Sequence, residues 1–202
     1  MSFRLMFTFP DARLALKPYF TESCNFSGKL RANHLPILLI RPTDYFNFQS
    51  MLNKEELTDI IKGITPEAEF PEGKQLLEVI VPAEKLFALV EKLKTDKKTA
   101  FNYLITMTAV DFTTNMTVVY HLESTDFRHL VVLKSILSDR ENPQIDSLTA
   151  LFPTAEFFER EVFDLFGIRF NNHPNMKRLF LEDDYGFPLR KDFRDEINII
   201  ER

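Results

Sequence analysis

The sequence predicts an α+β domain: a mixed β-sheet with helices packed on one face, plus an extended C-terminal segment. Three patterns indicate this fold. They are a helix–strand–helix succession within residues 53–93, a β-hairpin near residues 117–134, and a charged helix near residues 154–166 that precedes a polar tail. With 202 residues, 45% of them hydrophobic and 27% charged, the chain has the size and composition of one globular domain with an appendage.

Residues 1–50 differ from the rest of the chain. They hold six basic and three acidic residues, whereas the other 152 residues carry a net charge of −8. They show no clear periodicity, and their longest apolar run, Ile37–Ile40, is too short for a signal peptide. A disordered arm, a targeting segment and translated sequence upstream of a true start at Met51 are the three hypotheses, and we favour the last. We therefore expect a poorly structured extension (1–50), an α+β core domain (51–143), and a charged helix followed by an extended C-terminal interface arm (144–202).

A well-capped helix is predicted immediately after Met51. Asn53 and Glu56 form a capping-box pattern, in which each side chain accepts a hydrogen bond from an otherwise unpaired backbone N–H. Pro66 ends the helix. The apolar residues at helical spacing are Leu57, Ile60, Ile61 and Ile64.

A buried strand and a second helix follow. Residues 75–81 are rich in branched apolar side chains, which indicates a strand. Pro82 suits the first turn of a helix, because a proline there loses no hydrogen bond. The apolar stripe of this helix consists of Leu86, Leu89, Val90 and Leu93.

The next residues predict a β-hairpin. Residues 101–112 are ambiguous between strand and helix. Thr117–Glu123 and Phe127–Lys134 are predicted strands around the turn Ser124–Asp126.

The register of this hairpin has consequences for two histidines. A loop of two or four residues places Glu123 opposite Arg128, as a cross-strand pair of opposite charge. The same register places His121 and His129 on opposite faces of the sheet, so that they cannot share a metal. A loop of odd length would reverse this expectation.

An amphipathic helix is predicted after a polar loop at residues 139–143. Thr154 is the expected N-cap and Gly167 the expected residue beyond the helix end. The apolar face holds Phe158, Val162, Leu165 and Phe166, with Phe163 at its margin. The opposite side holds Glu156, Arg160 and Asp164, where charges at i, i+4 spacing can pair.

Glu159 falls within or beside the apolar face of this helix. A bare charge is strongly destabilised there, so the carboxylate must be exposed at an edge, paired, or protonated. The two hypotheses are a rim glutamate that reaches water, and a carboxylate held by an arginine or by backbone N–H groups.

Composition excludes several classes of functional site. The single cysteine, Cys24, excludes an internal disulfide, a cysteine-rich zinc site and an iron–sulfur cluster held by this chain alone. No two of the five glycines are closer than ten residues, which excludes a glycine-rich phosphate loop. The net charge of −5 argues against nucleic acid as a main partner. A metal site is not expected from the nearby ionisable residues, Glu159, Glu161, Asp164 and His173, because no second ligand motif faces them.

The tail from Lys177 to Glu196 mixes charges with aromatic residues. It holds five basic and six acidic residues, interleaved with residues such as Phe180, Tyr185 and Phe187. A solvated face would not need these aromatic side chains, whereas protein interfaces are enriched in arginine and aromatic anchors. The tail is therefore either an interface arm or an arm folded onto its own domain.

The stretch E-R-E-V-F-D-L-F-G-I-R-F-x-x-H-P-x-x-K-R-L, followed by P-L-R-K-D, carries a family resemblance. It resembles the signature of the C subunit of the proton-pumping NADH:quinone oxidoreductase, respiratory complex I, the 30-kDa-subunit family. The V-V-Y-H-L-E-S-T hairpin and the preceding α/β unit also look like that family, so the resemblance extends over residues 51–202.

The resemblance implies a peripheral-arm subunit that is part of an enzyme but is not itself catalytic. It implies a chain without a cofactor, with FMN, iron–sulfur clusters and quinone bound by partner subunits. The expected partners are the quinone-pocket subunit (the D subunit) and adjacent iron–sulfur subunits, at the cytoplasmic side of the inner membrane or the matrix side in mitochondria. By the same resemblance the structural and interface positions are Glu159, Arg160, Glu161, Asp164, His173, Arg178, Arg190, Lys191 and Asp192.

Two departures from the family pattern and two rival hypotheses accompany this expectation. The loop 184–188 is shorter than the commoner form and has Tyr185 where Trp is frequent. The homologous subunit of a membrane-bound hydrogenase or of a ferredoxin-dependent quinone reductase would carry the same module. A free-standing hydrolase using Glu159, Glu161 and His173 is the rival from another class.

Overall fold

The computed structural model describes residues 52–73 and 75–194, so the predictions for residues 1–50 and for a start at Met51 lie outside the described residues. The described elements are helices α1 (Lys54–Ile64), α2 (Ala83–Thr95) and α3 (Ala155–Phe166), and strands β1 (Leu77–Ile80), β2 (Tyr103–Asp111), β3 (Met116–Glu123), β4 (Leu130–Leu137), β5 (Gln144–Asp146) and β6 (Arg169–Asn171). The division at residue 143 stays a prediction.

Four strands form a mixed sheet in the order β1-β4-β3-β2. β1 runs parallel to β4, while β4, β3 and β2 are antiparallel neighbours. β5 and β6 form a separate parallel pair. The α+β class with a mixed sheet is therefore confirmed.

One face of the sheet forms the core with all three helices. Val79, Leu133, Tyr120 and Met107 lie in one row across the four strands, and none of them is more than 3% exposed. These side chains belong to the same apolar cluster as the buried residues of α1, α2 and α3. The opposite face carries partly exposed side chains such as Val110 and Ile136. Helices on one face of the sheet are thus also confirmed.

Local sequence signals place the first elements correctly. The capping box of α1 is present, because Glu56 N donates to Asn53 Oδ1 (2.7 Å) and Asn53 N donates to Glu56 Oε2 (3.0 Å). The ambiguous residues 101–112 form strand β2, whose buried residues alternate with exposed ones. All four residues of the predicted α2 stripe, Leu86, Leu89, Val90 and Leu93, are fully buried. No helix among the described residues has the length and apolar character needed to cross a bilayer.

The predicted hairpin register is wrong. β4 begins at Leu130 rather than at Phe127, and Glu123 pairs with Leu130 instead of Arg128. The reason is a longer loop: Ser124 N donates to His129 O, and Arg128 N donates to Ser124 O at 2.7 Å. Arg128 adopts φ 60 within this loop.

His129 therefore lies off the sheet, not on the face opposite His121 as predicted. Its Nε2 donates to Thr99 O at 2.8 Å, and its ring stacks on Phe127 with centroids 5.6 Å apart. His121 lies on β3, opposite Val132.

Strand β4 offers a test of which face is buried. Leu133→Ala should lower the free energy of unfolding by about 2–5 kcal/mol, because it leaves a cavity in the core. Ile136→Ala, on the same strand but 44% exposed, should cost less than about 1 kcal/mol. Urea unfolding of the full chain measures both values, and equal losses would contradict the assigned face.

Candidate functional site

Residues 172–194, which we call the C-terminal segment, follow β6 and contain no helix or strand. The segment does not project from the domain; it turns back and binds α3. Of the two sequence hypotheses for the tail, an arm folded onto its own domain describes these residues. The contacts between the segment and α3 form the candidate functional site.

The segment satisfies the carboxyl end of α3. The last four carbonyls of a helix lack partners within the helix. Here each accepts a hydrogen bond, and three of the four donors belong to the segment. The bonds are Gly167 N to Phe163 O (2.8 Å), Arg178 Nη1 to Asp164 O (2.9 Å), Leu189 N to Leu165 O (3.1 Å) and Arg190 Nε to Phe166 O (2.6 Å). Two of the donors are guanidinium groups, which also favour the negative end of the helix dipole.

Asp164 holds the segment from the side of α3. Its Oδ2 accepts from the backbone N–H groups of Phe180 (2.7 Å), Leu181 (3.0 Å) and Leu179 (3.3 Å), and its Oδ1 from Arg178 (3.1 Å). Burial by itself would raise the pKa of Asp164, but these four donors outweigh it and hold the pKa below its usual value. Asp164 is therefore a buried anion whose donors come from the segment.

On the side of α3 opposite its predicted apolar face, the charged residues bind the segment instead of pairing with one another, and two of the three are buried. Asp164 has no exposed surface and Arg160 only 8%. Arg160 donates from Nε to Lys177 O (3.1 Å) and from Nη2 to Arg178 O (2.8 Å). The physical reason is that α3 has two packing faces, because the sheet covers one and the segment covers another.

Glu159 is fully buried, so the rim-glutamate hypothesis is wrong and the backbone-held carboxylate is confirmed. Leu148 N donates to its Oε1 at 2.7 Å, and its Oε2 has no hydrogen-bond partner among the described residues. Burial raises its pKa from the usual 4.5 to about 7, although the Leu148 N–H and the nearby Ser147 hydroxyl oppose the shift. The buried Tyr120 hydroxyl, close enough to interact with this charge, also has no described partner.

The other residues singled out on or near α3 have varied surroundings. His173 donates from Nε2 to Glu156 O (3.1 Å) and accepts from Asn175 N at Nδ1 (3.0 Å), so both ring nitrogens are used within the fold. Glu161 is half-buried. Thr154 occupies the N-cap position but has helical backbone angles and makes no capping bond with its side chain.

A second attachment joins the end of the segment to the sheet. Arg140 pairs with Asp111 at the end of β2 (2.8 Å) and with Asp192 in the segment (2.7 Å). Lys191 N donates to Asp111 Oδ2 at 2.9 Å, while the Lys191 side chain is exposed. The hydrogen bond from Arg140 lowers the pKa of Asp111 far below its usual range, against the effect of burial. Arg140 also lowers the pKa of Asp192.

Sequence reasoning missed both Asp111 and Arg140. The only signal was the position of Asp111, which ends an apolar run in phase with its buried residues. Apart from Thr113 N, its partners lie 29 and 80 residues further along the chain.

Gly167 allows the segment to approach the helix end. It has φ 75, as the predicted helix end requires, and a Cβ there would lie 2.7 Å from Phe187 Cε2 and 2.8 Å from Arg190 Nη2. The Phe187 ring lies under two guanidinium groups, 4.9 Å from Arg178 Cζ and 4.8 Å from Arg190 Cζ. A side chain at Gly167 would therefore displace this stack.

The outer surface of the site carries apolar side chains. Phe180 is 73% exposed, Phe157 on α3 is 58% exposed and Leu189 is 52% exposed. No group of three or more His, Cys, Asp or Glu residues that could hold a metal occurs within residues 52–73 and 75–194. The site is therefore a surface whose backbone is held by hydrogen bonds and on which several apolar side chains remain exposed to solvent.

The chain is similar to a known family and to named proteins. The family described as "Respiratory-chain NADH dehydrogenase, 30 Kd subunit" matches residues 79–197. A protein of Moorella thermoacetica, named as the C subunit of NADH-quinone oxidoreductase, is 43% identical over 137 residues, which is 66% of this chain and 90% of that protein. A Phocaeicola vulgatus protein, named as the C/D subunit of NADH-quinone oxidoreductase, is 43% identical over 120 residues, 58% of this chain but only 23% of that longer protein.

A solved structure is also similar. It is that of the membrane-bound sulfane sulfur reductase, an archaeal respiratory membrane complex. One of its chains matches with a TM-score of 0.60 and 29% identity, covering 71% of this chain and 86% of that chain.

The close approach at Gly167 predicts a specific loss of stability. Gly167→Ala should lower the free energy of unfolding by about 1–3 kcal/mol, because the positive φ and the contact with Phe187 both resist a Cβ. Gly63→Ala in α1 is the matched control: nothing lies within 4 Å of the new Cβ, so stability should stay the same or rise by up to about 1 kcal/mol. Urea unfolding of the full chain checks both, and a harmless Gly167→Ala would show that the segment does not dock as described.

The buried Glu159 predicts a pH dependence of stability. A carboxyl whose pKa is raised in the folded state stabilises the fold below its unfolded pKa of 4.5, and this stabilisation is lost as the pH rises through about 7. Between about pH 5 and 7 the wild type should therefore lose stability relative to Glu159→Gln, by at most about 1.4 kcal/mol per pH unit.

Urea unfolding of the full chain across this pH range measures the difference. Glu156→Gln, which removes a carboxylate from a partly exposed position of α3, should keep the pH dependence of the wild type. Parallel curves for the wild type and Glu159→Gln would refute the assignment.

Proposed function

The chain belongs to the family of the 30 kDa subunit of respiratory-chain NADH dehydrogenase, and on this premise we propose that it is a non-catalytic subunit of a membrane-bound NADH:quinone oxidoreductase. It works in the peripheral arm, packs against the quinone-pocket subunit and carries no cofactor. FMN, the iron–sulfur clusters and quinone are then bound by partner subunits. The enzyme activity belongs to the complex and is absent from the isolated chain.

The observation that carries this proposal is that charged and polar residues of the signature stretch hydrogen-bond to the backbone of the chain itself. Asp164, Arg160 and His173 direct their hydrogen-bonding groups at backbone atoms of α3 or the segment. Groups committed in this way fix the shape of a surface. Catalysis by an acid–base pair would instead need side chains free to exchange a proton with a substrate.

The proposed main partner is the quinone-pocket subunit, the D subunit of such complexes. Proteins named as the C/D subunit match this chain over only about a quarter of their own length, and a fused chain keeps two associating modules side by side. The exposed Phe180, Phe157 and Leu189 supply the kind of apolar anchors that such a contact needs. We place iron–sulfur subunits beside it, and the whole assembly at the cytoplasmic side of the inner membrane, or the matrix side in a mitochondrion.

A second candidate is the homologous subunit of a related membrane complex with another electron donor. This candidate is supported by the match to a chain of the archaeal sulfane sulfur reductase complex. A membrane-bound hydrogenase or a ferredoxin-dependent reductase would use the module in the same way. The electron donor of the purified complex separates the two candidates.

The hydrolase hypothesis finds no support in the geometry. Glu159 has no exposed surface, and both ring nitrogens of His173 are used within the fold. Glu159 is therefore not placed to reach a substrate in solution, and neither ring nitrogen of His173 is free for catalysis.

Native purification tests the proposed function. The full chain, tagged and extracted from membranes with a mild detergent, should co-purify with the quinone-pocket subunit and with other subunits that contain FMN and iron–sulfur clusters, and the preparation should reduce quinone with NADH. Recovery of the chain alone, or a flavin or cluster bound to the pure chain, would contradict the proposal.

A surface variant tests the proposed contact. Phe180→Asp should reduce the share of the chain recovered in the complex at least tenfold, because a charge replaces an apolar anchor, whereas the free chain should unfold at the same urea concentration as the wild type. Tyr103→Asp changes an exposed aromatic residue of β2 outside the proposed contact and is the control. Full retention of Phe180→Asp in the complex would place the contact elsewhere.

A further inference from the structure

A cavity of about 500 Å³ opens where the C-terminal segment meets the carboxyl end of α3. Its walls come from three parts of the chain: the loop at residues 141–143, the region from Phe163 to Arg169, and the segment. The signature motif thus builds a concave surface beside the docked segment.

Basic side chains dominate this cavity. Arg169, Lys177, Arg178 and Arg190 all line it. Among the described residues, only Arg178 of these four has a carboxylate within 4 Å, namely Asp164. Arg190 donates from its Nε to Phe166 O, and its charge lowers the pKa of Asp192 without a direct ion pair. The other two, Arg169 and Lys177, are exposed, and their side chains make no hydrogen bond to another residue within 52–73 and 75–194.

The remaining lining indicates the kind of anion that fits. Glu141 and Asp183 also line the cavity, so a dense polyanion would be repelled at its rim. Phe163 and Phe187 add aromatic surface that can cover the apolar part of a side chain. A single carboxylate on an apolar stem, presented by a peptide, matches this combination better than a phosphate group does.

We propose that this cavity receives an aspartate or glutamate side chain from a neighbouring subunit, which binds between Arg169, Lys177 and Arg190. The proposal rests on the proposed function, since it assumes that the chain works within a complex. The backbone that carries the three basic residues is already in place, because Arg169 lies in β6 and the C-terminal segment with Lys177 and Arg190 is held to α3 by other bonds. The cavity therefore fixes the orientation of the partner, while the exposed apolar residues supply contact area.

Zero-length cross-linking in the native complex tests the contact directly. Among the described residues, Lys177 carries the only primary amine that lines the cavity, and a carbodiimide joins an amine only to a carboxylate within ion-pair distance. Mass spectrometry of the cross-linked complex should show Lys177 joined to an aspartate or glutamate of another subunit. A cross-link from Lys177 only to Glu141 or Asp183 of the same chain would overturn the proposal.

Charge reversal provides the functional test. The double variant Arg169→Glu/Lys177→Glu should lower the share of the chain retained in the complex at least tenfold. Its unfolding in urea should match that of the wild type, since neither side chain makes a described bond within the fold. The matched control is Lys97→Glu/Lys98→Glu, which changes the same charge in the exposed turn after α2. Lys177→Arg, which keeps the charge, should be retained like the wild type.

The outcomes separate this inference from the proposed function. Intact complexes with the double variant, or no cross-link from Lys177 to another subunit, would overturn the inference and leave the proposed function standing. Failure of the wild-type chain to co-purify with any subunit would remove both. Retention that depends on anionic phospholipid in reconstituted vesicles, with no protein cross-link, would assign the cavity to a lipid headgroup and likewise overturn the inference.

Discussion

The carboxyl end of α3 is the contact on which the rest of the C-terminal region depends. The segment after β6 has no helix or strand of its own, so turns within it satisfy only some of its backbone groups. Further hydrogen bonds join the segment to α3. Donors of the segment bind the last carbonyls of the helix, and the Asp164 carboxylate accepts from three backbone N–H groups of the segment. Helix and segment therefore complete each other, and Gly167 permits the close approach at the point where they meet.

Two carboxylates on this one helix show how the number of donors decides the state of a buried acid. Glu159 and Asp164 have no exposed surface. Asp164 faces three backbone N–H groups and a guanidinium, so its pKa falls despite burial. Glu159 receives one backbone N–H from Leu148 and faces the apolar core, so burial dominates and its pKa rises to about 7. A carboxylate with a lowered pKa thus faces the segment, and a carboxyl with a pKa raised to about 7 faces the core.

The hydrogen bonds and ion pairs of the charged residues explain how the C-terminal segment can form a rigid surface for binding a neighbouring subunit. The charges that hold the segment are bound to backbone atoms and to one another, as in the ion pairs of Arg140 with Asp111 and Asp192. A surface fixed in this way has little conformational entropy left to lose on binding. Side chains such as Phe180, together with the basic cavity beside α3, are then presented to a neighbour in defined positions.

The sequence by itself determined the features that arise from neighbours in the chain. The capping box at Asn53, the apolar stripe of α2 and the helix end at Gly167 follow from spacing over a few residues, and the signature stretch identified the family. The tertiary structure decided which polar residues are buried and where strands align. A loop of six residues moved the start of β4 to Leu130. A segment returning onto α3 buried Arg160 and Asp164, whose spacing alone indicated only that they lie opposite the apolar face. The long-range partners of Asp111 came from 29 and 80 residues away. The periodicity of the sequence predicts that a helix has a polar face. It does not predict which part of the chain covers that face, because the covering segment reaches the helix only in the folded protein.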